Sequence, residues 1–167
     1  MLHSMNRRRR EKGGLRFITA CFLVVVLLTF GRDCAAMVDI SFGRDKIAWK
    51  GYEEGLDQAR REGKPAIIIF YSESCSACKR YKSILQEERV VDASAPFVMI
   101  RVNTGEQPQL SRKYQFDGRY VPRTFAVFPN GEIMHELYPS KRYKYFIGLD
   151  QDNLLSLMQK AQAKIER

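Results

Sequence analysis

A short apolar run that ends beside two closely spaced cysteines constrains this chain more than any other feature. Residues 66–71 read Ala-Ile-Ile-Ile-Phe-Tyr. A run of this length, rich in β-branched and aromatic residues, predicts a central strand buried on both faces. Ser72-Glu73-Ser74 interrupts the run, and a helix is predicted to begin near Cys75. Cys75 and Cys78 would then lie at the carboxyl end of a central strand, where open α/β sheets place their functional sites.

The other segments predict one α/β domain around this strand. Apolar residues at helical spacing predict a first helix, which Gly63 and Pro65 end. The first helix is indicated by Trp49, Tyr52, Leu56 and Ala59, and the inner face of the second by Cys78, Tyr81 and Leu85. A strand is predicted over residues 97–102 and a partly helical stretch over residues 108–114. Two further strands, over residues 124–128 and 132–137, are joined by Pro129-Asn130-Gly131, and a last helix covers residues 150–165. This order gives a βαβ half and a ββα half, with a central mixed sheet of about four to five strands flanked by helices.

The amino-terminal segment is typical of a targeting signal. A basic stretch ends at Arg16, residues 17–30 are mostly apolar, and Cys34 and Ala36 are small residues at the two positions that signal peptidase inspects. We therefore predict that residues 1–36 are a signal peptide. A retained signal anchor is the alternative, although the apolar run is shorter than the roughly 20 residues of a membrane-spanning helix.

A linker is predicted over residues 37–46 and a folded domain over residues 47–167. With a cleaved signal or a retained anchor, the domain is expected in the secretory pathway, in the lumen of the endoplasmic reticulum or secreted. The chain ends without a KDEL-like retrieval signal. We expect a monomer, and no membrane contact unless the anchor is retained.

The charge distribution argues against a nucleic-acid-binding protein. The formal net charge is +9 at pH 7, but residues 1–36 hold seven Lys or Arg and only two acids. Most of the excess therefore lies in the predicted signal, and no basic stripe interleaves with stacking aromatic residues. We expect no nucleic-acid partner.

The cysteine count favours a redox pair. Of the four cysteines, Cys21 and Cys34 lie in the predicted signal, so that Cys75 and Cys78 alone remain after cleavage. A structural zinc site needs four ligands, and two thiols with His135 do not supply them. We expect no metal. The closely spaced thiols can form an internal disulfide, and no third cysteine competes for either of them.

The predicted helix start assigns different roles to the two cysteines. Cys75 would lie at the first turn, where unpaired backbone amides and the helix dipole favour the thiolate that attacks disulfides. Cys78, one turn deeper on the same face, would resolve the mixed disulfide. Ser76 and Ala77 between them tune the reduction potential. With Ser74, these two residues are also candidates for substrate contact.

A proline before a predicted strand suggests a docking position for the substrate. We predict a cis Val121–Pro122 bond facing the Cys75 sulfur, with backbone groups left free to pair with an incoming chain. Arg123 either steadies the thiolate or is a solvated strand-end arginine. Lys79 and Glu73 are further candidate modulators of the site.

Six short segments, in matching order, carry a family resemblance. They are Trp49, Ser74-Cys75-Ser76-Ala77-Cys78-Lys79, Phe97-Val98-Met99, Tyr120-Val121-Pro122-Arg123, Pro129-Asn130-Gly131 and Tyr143-Lys144-Tyr145-Phe146. With them the chain resembles the small thioredoxin-like proteins of the endoplasmic reticulum, which include thioredoxin domain-containing protein 12 and the anterior-gradient proteins. The resemblance implies a thioredoxin fold and an oxidoreductase of the disulfide-isomerase kind. Its partners would be thiol- or disulfide-containing client proteins, with glutathione as a redox partner and no bound cofactor.

The chain departs from the thioredoxin pattern at two site positions. Ser74 stands where Trp usually precedes the first cysteine, so that a flat hydrophobic contact surface is missing. Ile69 stands where thioredoxin has a buried carboxylate, so that Cys78 would lose its proton more slowly, or to water or a less obvious acid such as Glu73. The alternative function, suggested by one-cysteine members of the resembled family, is a non-catalytic client-binding or chaperone-like module that kept the fold, although the second cysteine kept here argues against it.

Overall fold

Four strands form the mixed sheet of this chain, whose computed structural model describes residues 46–138 and 142–166. The strands are β1 (Trp49–Lys50), β2 (Ala66–Tyr71), β3 (Val98–Asn103) and β4 (Arg123–Val127), in the order β1-β3-β2-β4. β1 and β2 run parallel to β3, and β4 runs antiparallel to β2. The predicted signal peptide and nearly all of the predicted linker lie outside the described residues.

Every residue of β2 is buried, because β2 lies between two other strands and is covered on both faces. This explains why its sequence is continuously apolar rather than alternating. The helices are α1 (Tyr52–Glu62), α2 (Ser76–Leu85), α3 (Glu88–Ser94), α4 (Pro108–Lys113) and α5 (Gln151–Ile165), and a 3₁₀ turn covers His135–Leu137. α1 packs against β2 and β3, and α3 packs against α5. No helix in the described residues is long and apolar enough to cross a membrane.

Helix ends follow the signals in the sequence. α1 ends at Gly63, whose left-handed φ of 64° turns the chain so that the Lys64 N–H also donates to the Ala59 carbonyl, at 3.1 Å. α5 begins after Asp150, whose carboxylate accepts from the Asp152 N–H at 3.2 Å. The predicted stop of the first helix is confirmed.

Trp49 was predicted on the first helix, and this is wrong. It lies in β1 and pairs with Met99 of β3. Gly51 is extended, with φ −69° and ψ 166°, and caps the helix, which starts only at Tyr52. The helical spacing extends back to Trp49 because its side chain packs against the same core from a strand.

The predicted strand over residues 132–137 is also wrong. The turn at Pro129-Asn130-Gly131 forms, but Ile133 makes only an isolated bridge to Val127 before the 3₁₀ turn. Two acceptors from other parts of the chain bind N–H groups on the free edge of β4. The Ala126 N–H donates to the Tyr138 hydroxyl at 2.6 Å, and the Thr124 N–H donates to the Tyr145 carbonyl at 2.9 Å. A fifth strand would need those same donors.

Candidate active site

The turn between β2 and α2 places Cys75 at the first turn of the helix. The Cys75 N–H donates to the Ser72 carbonyl at 3.2 Å, and extended backbone angles at Cys75 (φ −83°, ψ 115°) make it the N-cap of α2. Its Sγ accepts from the Cys78 N–H at 3.2 Å. The sulfur therefore satisfies one of the backbone donors that a helix start leaves unpaired, an interaction that strengthens when the sulfur is negative.

Cys78 lies one turn further along α2 and is more deeply buried. Both cysteines are free thiols; Cys75 is half-buried, and Cys78 is 7% exposed. Cys78 packs against Tyr71, with Cys75 and Val121 against the same cluster. Burial raises the pKa of the Cys78 thiol to about 12, and its hydrogen bond with Cys75 acts in the same direction. The predicted difference in depth between the two thiols is present.

The Val121–Pro122 peptide bond is cis and lies next to the Cys75 sulfur, as predicted. The Cys75 thiol donates to the Val121 carbonyl at 3.5 Å. Among the described residues, the Val121 N–H has no hydrogen-bond acceptor. Pro122 itself is buried, so the polar backbone of Val121 is what the site presents beside the sulfur.

The other predicted contact residues line the helix side of Cys75. Ser74 and Ser76 are exposed, Ala77 is half-buried, and the Ser74 hydroxyl lies 3.1 Å from that of Ser72. The candidate modulators Glu73 and Lys79 are exposed as well. Their roles stay predictions.

Arg123 is buried, so the prediction of a solvated strand-end arginine is wrong. Its side chain is 1% exposed and its guanidinium lies 5.0 Å from the centroid of the Phe70 ring. The Nη atoms donate to the carbonyls of Ser111, Tyr114 and Gly118 at 3.2 to 3.4 Å, and to the Ser111 hydroxyl at 2.7 Å. These hydrogen bonds lead toward α4 and the following loop, not to the sulfur. Burial lowers the pKa of Arg123.

The inward direction of Arg123 has a signal in the sequence. Side chains in a strand alternate, so that residue 123 shares a face with Phe125 and Val127, both of which are fully buried. Both faces of β4 are covered, and all five of its residues are buried. An arginine at the start of such a strand has to turn inward and find acceptors there.

A hydrogen-bonded cluster that the sequence did not reveal holds the segment before Pro122. The Tyr120 hydroxyl donates to the Asp117 carboxylate at 2.8 and 2.9 Å and accepts from the Tyr145 N–H at 3.1 Å. The Lys144 N–H donates to Asp117 Oδ2 at 2.6 Å. Burial, and then the hydrogen bond with Asp117, raise the pKa of Tyr120, so the hydroxyl stays protonated and can donate. We call Asp117, Tyr120, Lys144 and Tyr145 the tyrosine clasp.

The position of the thioredoxin carboxylate is apolar here. Ile69 is 2% exposed and pairs in register with Thr124 of β4. The Thr124 hydroxyl is hydrogen bonded to the hydroxyl of Tyr81 at 2.9 Å.

His135 is exposed, with its Nδ1 2.6 Å from the Tyr145 hydroxyl. Within residues 46–138 and 142–166, no group of three His, Cys, Asp or Glu side chains could hold a metal ion.

Comparisons with known proteins agree with this geometry. A thioredoxin-like family model matches residues 48–129. Anterior gradient protein 2 of Xenopus tropicalis is 31% identical over 149 residues, which cover 83% of this chain and 88% of that protein. Anterior gradient protein 3 of the same species is 30% identical over 105 residues, or 60% of this chain, and the chain spans 63% of the length of that relative.

The solved structure of a thioredoxin from Thermus thermophilus superposes with a TM-score of 0.56 and 21% identity. The match covers 71% of this chain and 89% of the thioredoxin, which shows the shared fold. From the dithiol at the start of α2, the neighbouring cis-proline and these matches, we conclude that the chain belongs to the anterior gradient proteins of the thioredoxin-like superfamily.

Proposed function

We propose that this protein is a thiol–disulfide oxidoreductase of the secretory pathway that reduces, forms or isomerises disulfides in client proteins. One observation carries the proposal. The Cys75 sulfur accepts a helix-start N–H at 3.2 Å, lies 3.5 Å from the Val121 carbonyl beside the cis-proline, and has the second thiol one turn deeper.

In the reductive direction, the Cys75 thiolate attacks one sulfur of a client disulfide. A bond forms between Cys75 and that sulfur, and the other client sulfur leaves as a thiolate. The Cys78 sulfur, after losing its proton, then attacks Cys75. The Cys75–Cys78 disulfide forms, the second client thiolate leaves, and two electrons have passed from protein to client. The reverse sequence forms a client disulfide.

The backbone beside Pro122 would hold the client during exchange. The free Val121 N–H and the Val121 carbonyl can pair with an extended client segment, with the client sulfur next to Cys75. Ser74, Ser76 and Ala77 would border the same segment on the helix side. Glutathione is the proposed partner that returns the dithiol to its starting redox state, without a bound cofactor.

The proposed site of action is the lumen of the endoplasmic reticulum or the extracellular space, where disulfides form and persist. The proposal includes a monomer that acts on thiol- or disulfide-containing clients. The competing proposal is a non-catalytic client-binding module, favoured by the exposed Ser74 and the buried Ile69 where active thioredoxins keep Trp and an acid.

Insulin reduction by the full chain with glutathione as reductant separates the two proposals. We expect the wild type to reduce insulin and a Cys75→Ser variant to be at least about 100-fold slower, because the attacking atom is gone. Ser83→Ala, an exposed position on the same helix, is the matched control and should keep the wild-type rate. Equal inactivity of the wild type and Cys75→Ser, with client binding intact, would establish the binding module instead.

A further inference from the structure

The two sides of Cys75 differ in what they offer a client side chain. The helix side presents the small hydroxyls of Ser74 and Ser76. On the proline side, the rings of Tyr120 and Tyr143 meet edge to face, with centroids 4.8 Å apart. Tyr120 directly precedes Val121, whose carbonyl contacts the sulfur. The aromatic surface near the sulfur is therefore on the proline side.

Tyr143 is held in an unusual conformation that presents its ring to solvent. It is 40% exposed, and its φ of 58° lies in the left-handed region that non-glycine residues rarely adopt. The tyrosine clasp holds the two residues that follow, through the Lys144 N–H to Asp117 and the Tyr145 N–H to Tyr120. Backbone strain that neighbours maintain around an exposed ring is a feature of ligand-contacting segments.

One arginine lies over this pair of rings, and a second is next to the pair in the chain. The Arg142 guanidinium lies 4.8 Å from the centroid of the Tyr143 ring, and Arg119 is exposed beside Tyr120. Neither arginine has an ion-pair partner in the part of the chain that the structure describes. Five other cations of the described residues are ion paired, in Lys50–Glu54, Arg60–Asp57, Lys64–Glu62, Arg89–Asp152 and Lys164–Glu136, whereas Arg119 and Arg142 stay available to an anionic partner, as exposed Arg61 and Arg112 do far from the site.

The neighbouring charges strengthen this imbalance. α2, which starts at the sulfur, carries the exposed Lys79 and Arg80 and contains no acid, while the exposed acid Glu73 precedes the sulfur in the turn. The carboxylate of Asp117 accepts hydrogen bonds within the clasp and is attracted to the buried charge of Arg123. Three segments around the site therefore carry cations that face water, an arrangement that attracts anionic partners.

We propose that Tyr120, Tyr143, Arg119 and Arg142 form a docking surface that selects client segments with an acidic residue and an aromatic side chain close to the reacting disulfide. The inference rests on the proposed function, of which it names the client class. An extended client advances about 3.3 Å per residue. Client residues two to four positions from the reacting cysteine would therefore reach the two rings and the arginines.

Single-turnover exchange with the reduced full chain tests this surface. The probes are synthetic peptides with one internal disulfide, identical except for a Glu-Phe, Gln-Phe or Glu-Ala pair two and three positions from one cysteine. Neutral bis(2-hydroxyethyl) disulfide measures the intrinsic reactivity of the dithiol. In the wild type we expect the Glu-Phe peptide to react about 3- to 10-fold faster than the Gln-Phe peptide at low ionic strength. The ratio should fall toward one at about 0.5 M salt, which screens exposed charges.

Variants separate the charged and aromatic contributions. Arg119→Gln with Arg142→Gln should bring the Glu-to-Gln ratio to about one. Tyr143→Gly, which accepts the left-handed φ without strain, should remove most of the Phe-to-Ala preference. Arg61→Gln, an exposed arginine on α1, is the matched control and should leave both ratios at the wild-type values.

The outcomes distinguish this inference from the proposed function. If bis(2-hydroxyethyl) disulfide reacts but wild-type peptide ratios are one, the docking surface is overturned and the oxidoreductase stands. If the arginine variants slow the neutral disulfide as much as the Glu-Phe peptide, the arginines act on the cysteines and the docking surface is likewise overturned. If no disulfide reacts, both proposals fail.

Discussion

The two sides of the Cys75 sulfur are built in different ways. On the helix side, a turn of four residues and the first turn of α2 bring the Cys78 N–H to the sulfur, through hydrogen bonds that lie inside residues 72–78. On the proline side, the Val121 carbonyl that contacts the sulfur belongs to a backbone segment hydrogen bonded by Arg123 and the tyrosine clasp. The hydrogen bonds of the clasp join residues up to 27 positions apart in the chain, Asp117 and Lys144.

This difference separates chemistry from recognition. The helix side supplies the attacking and resolving sulfurs, and a local motif is enough to place both. The proline side supplies the backbone and side chains that a client would touch, and it depends on buried polar groups whose loss is costly. Changes on the helix side should therefore alter exchange with every disulfide. Changes on the proline side should alter stability and the choice of client.

The largest effect is expected on the helix side, at the resolving thiol. Because burial raises the pKa of Cys78 to about 12, this thiol is neutral near pH 7. Its thiolate fraction grows about tenfold per pH unit below that value, so resolution of a mixed disulfide should accelerate about tenfold per unit between about pH 6.5 and 8.5. Cys78→Ser should trap the mixed disulfide and reduce turnover at least about 100-fold. Acid quench and intact-mass spectrometry measure both species.

The same pH series on Cys78→Ser reports the attack by Cys75 alone and is the control for the first step. A resolution rate that levels off near pH 7 in the wild type would show that another group takes the proton from Cys78. Glu73 is the acid named from the sequence, and Glu73→Gln would then restore the rise with pH. The helix side would still be self-contained in that case, because Glu73 lies within residues 72–78. A plateau that persists in Glu73→Gln would place the proton acceptor outside this segment, and the comparison of the two sides would fail at its first step.

Most of the helix side could be predicted from the sequence because its signals are local. The buried strand, the helix start at the first cysteine and the greater depth of Cys78 all follow from residues 66–85. The cis bond before Pro122 was also predicted, since a proline at that point of the fold has few other uses. α3 was missed because its seven residues are too few for a periodic pattern.

Apart from the cis bond, the proline side could not be predicted because its contacts are tertiary. Asp117 and Tyr120 lie three residues apart, but nothing in that spacing shows that the Lys144 and Tyr145 amides complete their hydrogen bonds. The absence of a fifth strand has the same cause, since the Tyr138 hydroxyl and the Tyr145 carbonyl accept hydrogen bonds from the N–H groups on the free edge of β4. The burial of Arg123 was not predicted because a charged residue at a strand end is expected to face solvent, although the alternation of side chains along the strand indicates an inward direction.

A second prediction concerns the buried arginine of the proline side. Arg123→Met keeps most of the apolar stem but leaves the carbonyls of Ser111, Tyr114 and Gly118 without their donors. We expect the free energy of unfolding to fall by about 2–4 kcal/mol, since each buried acceptor that loses its partner costs about 1–3 kcal/mol and the neighbourhood relaxes in part. Urea unfolding at equilibrium measures this change.

Arg61→Met, an exposed arginine of α1, is the matched control and should change stability by no more than about 0.5 kcal/mol. If Arg123→Met leaves the free energy of unfolding unchanged, an apolar side chain packs against the Phe70 ring as well as arginine does. This can happen when a buried charge is replaced by a residue of similar shape. The proline side would then depend on the tyrosine clasp alone.

The smallest effect is expected from removing one oxygen of the clasp. Tyr120→Phe keeps the ring beside Tyr143 but removes the hydroxyl that donates to Asp117 and accepts from the Tyr145 N–H. We expect a loss of about 1–2 kcal/mol in the free energy of unfolding. Peptide disulfide exchange should slow about threefold or more, because the backbone at Val121 is less firmly held.

Alkylation of Cys75 by iodoacetamide distinguishes a positioning role from an effect on the sulfur. In Tyr120→Phe, this rate should stay within about twofold of the wild type, because the Cys78 N–H that contacts the sulfur belongs to α2 and not to the clasp. If alkylation and peptide exchange slow together, the clasp also controls the sulfur, and the two sides of Cys75 act as one unit. If alkylation is unchanged while peptide exchange slows, the Tyr120 hydroxyl acts on client binding and not on the reactivity of the sulfur. The helix side and the proline side of Cys75 then have separate roles.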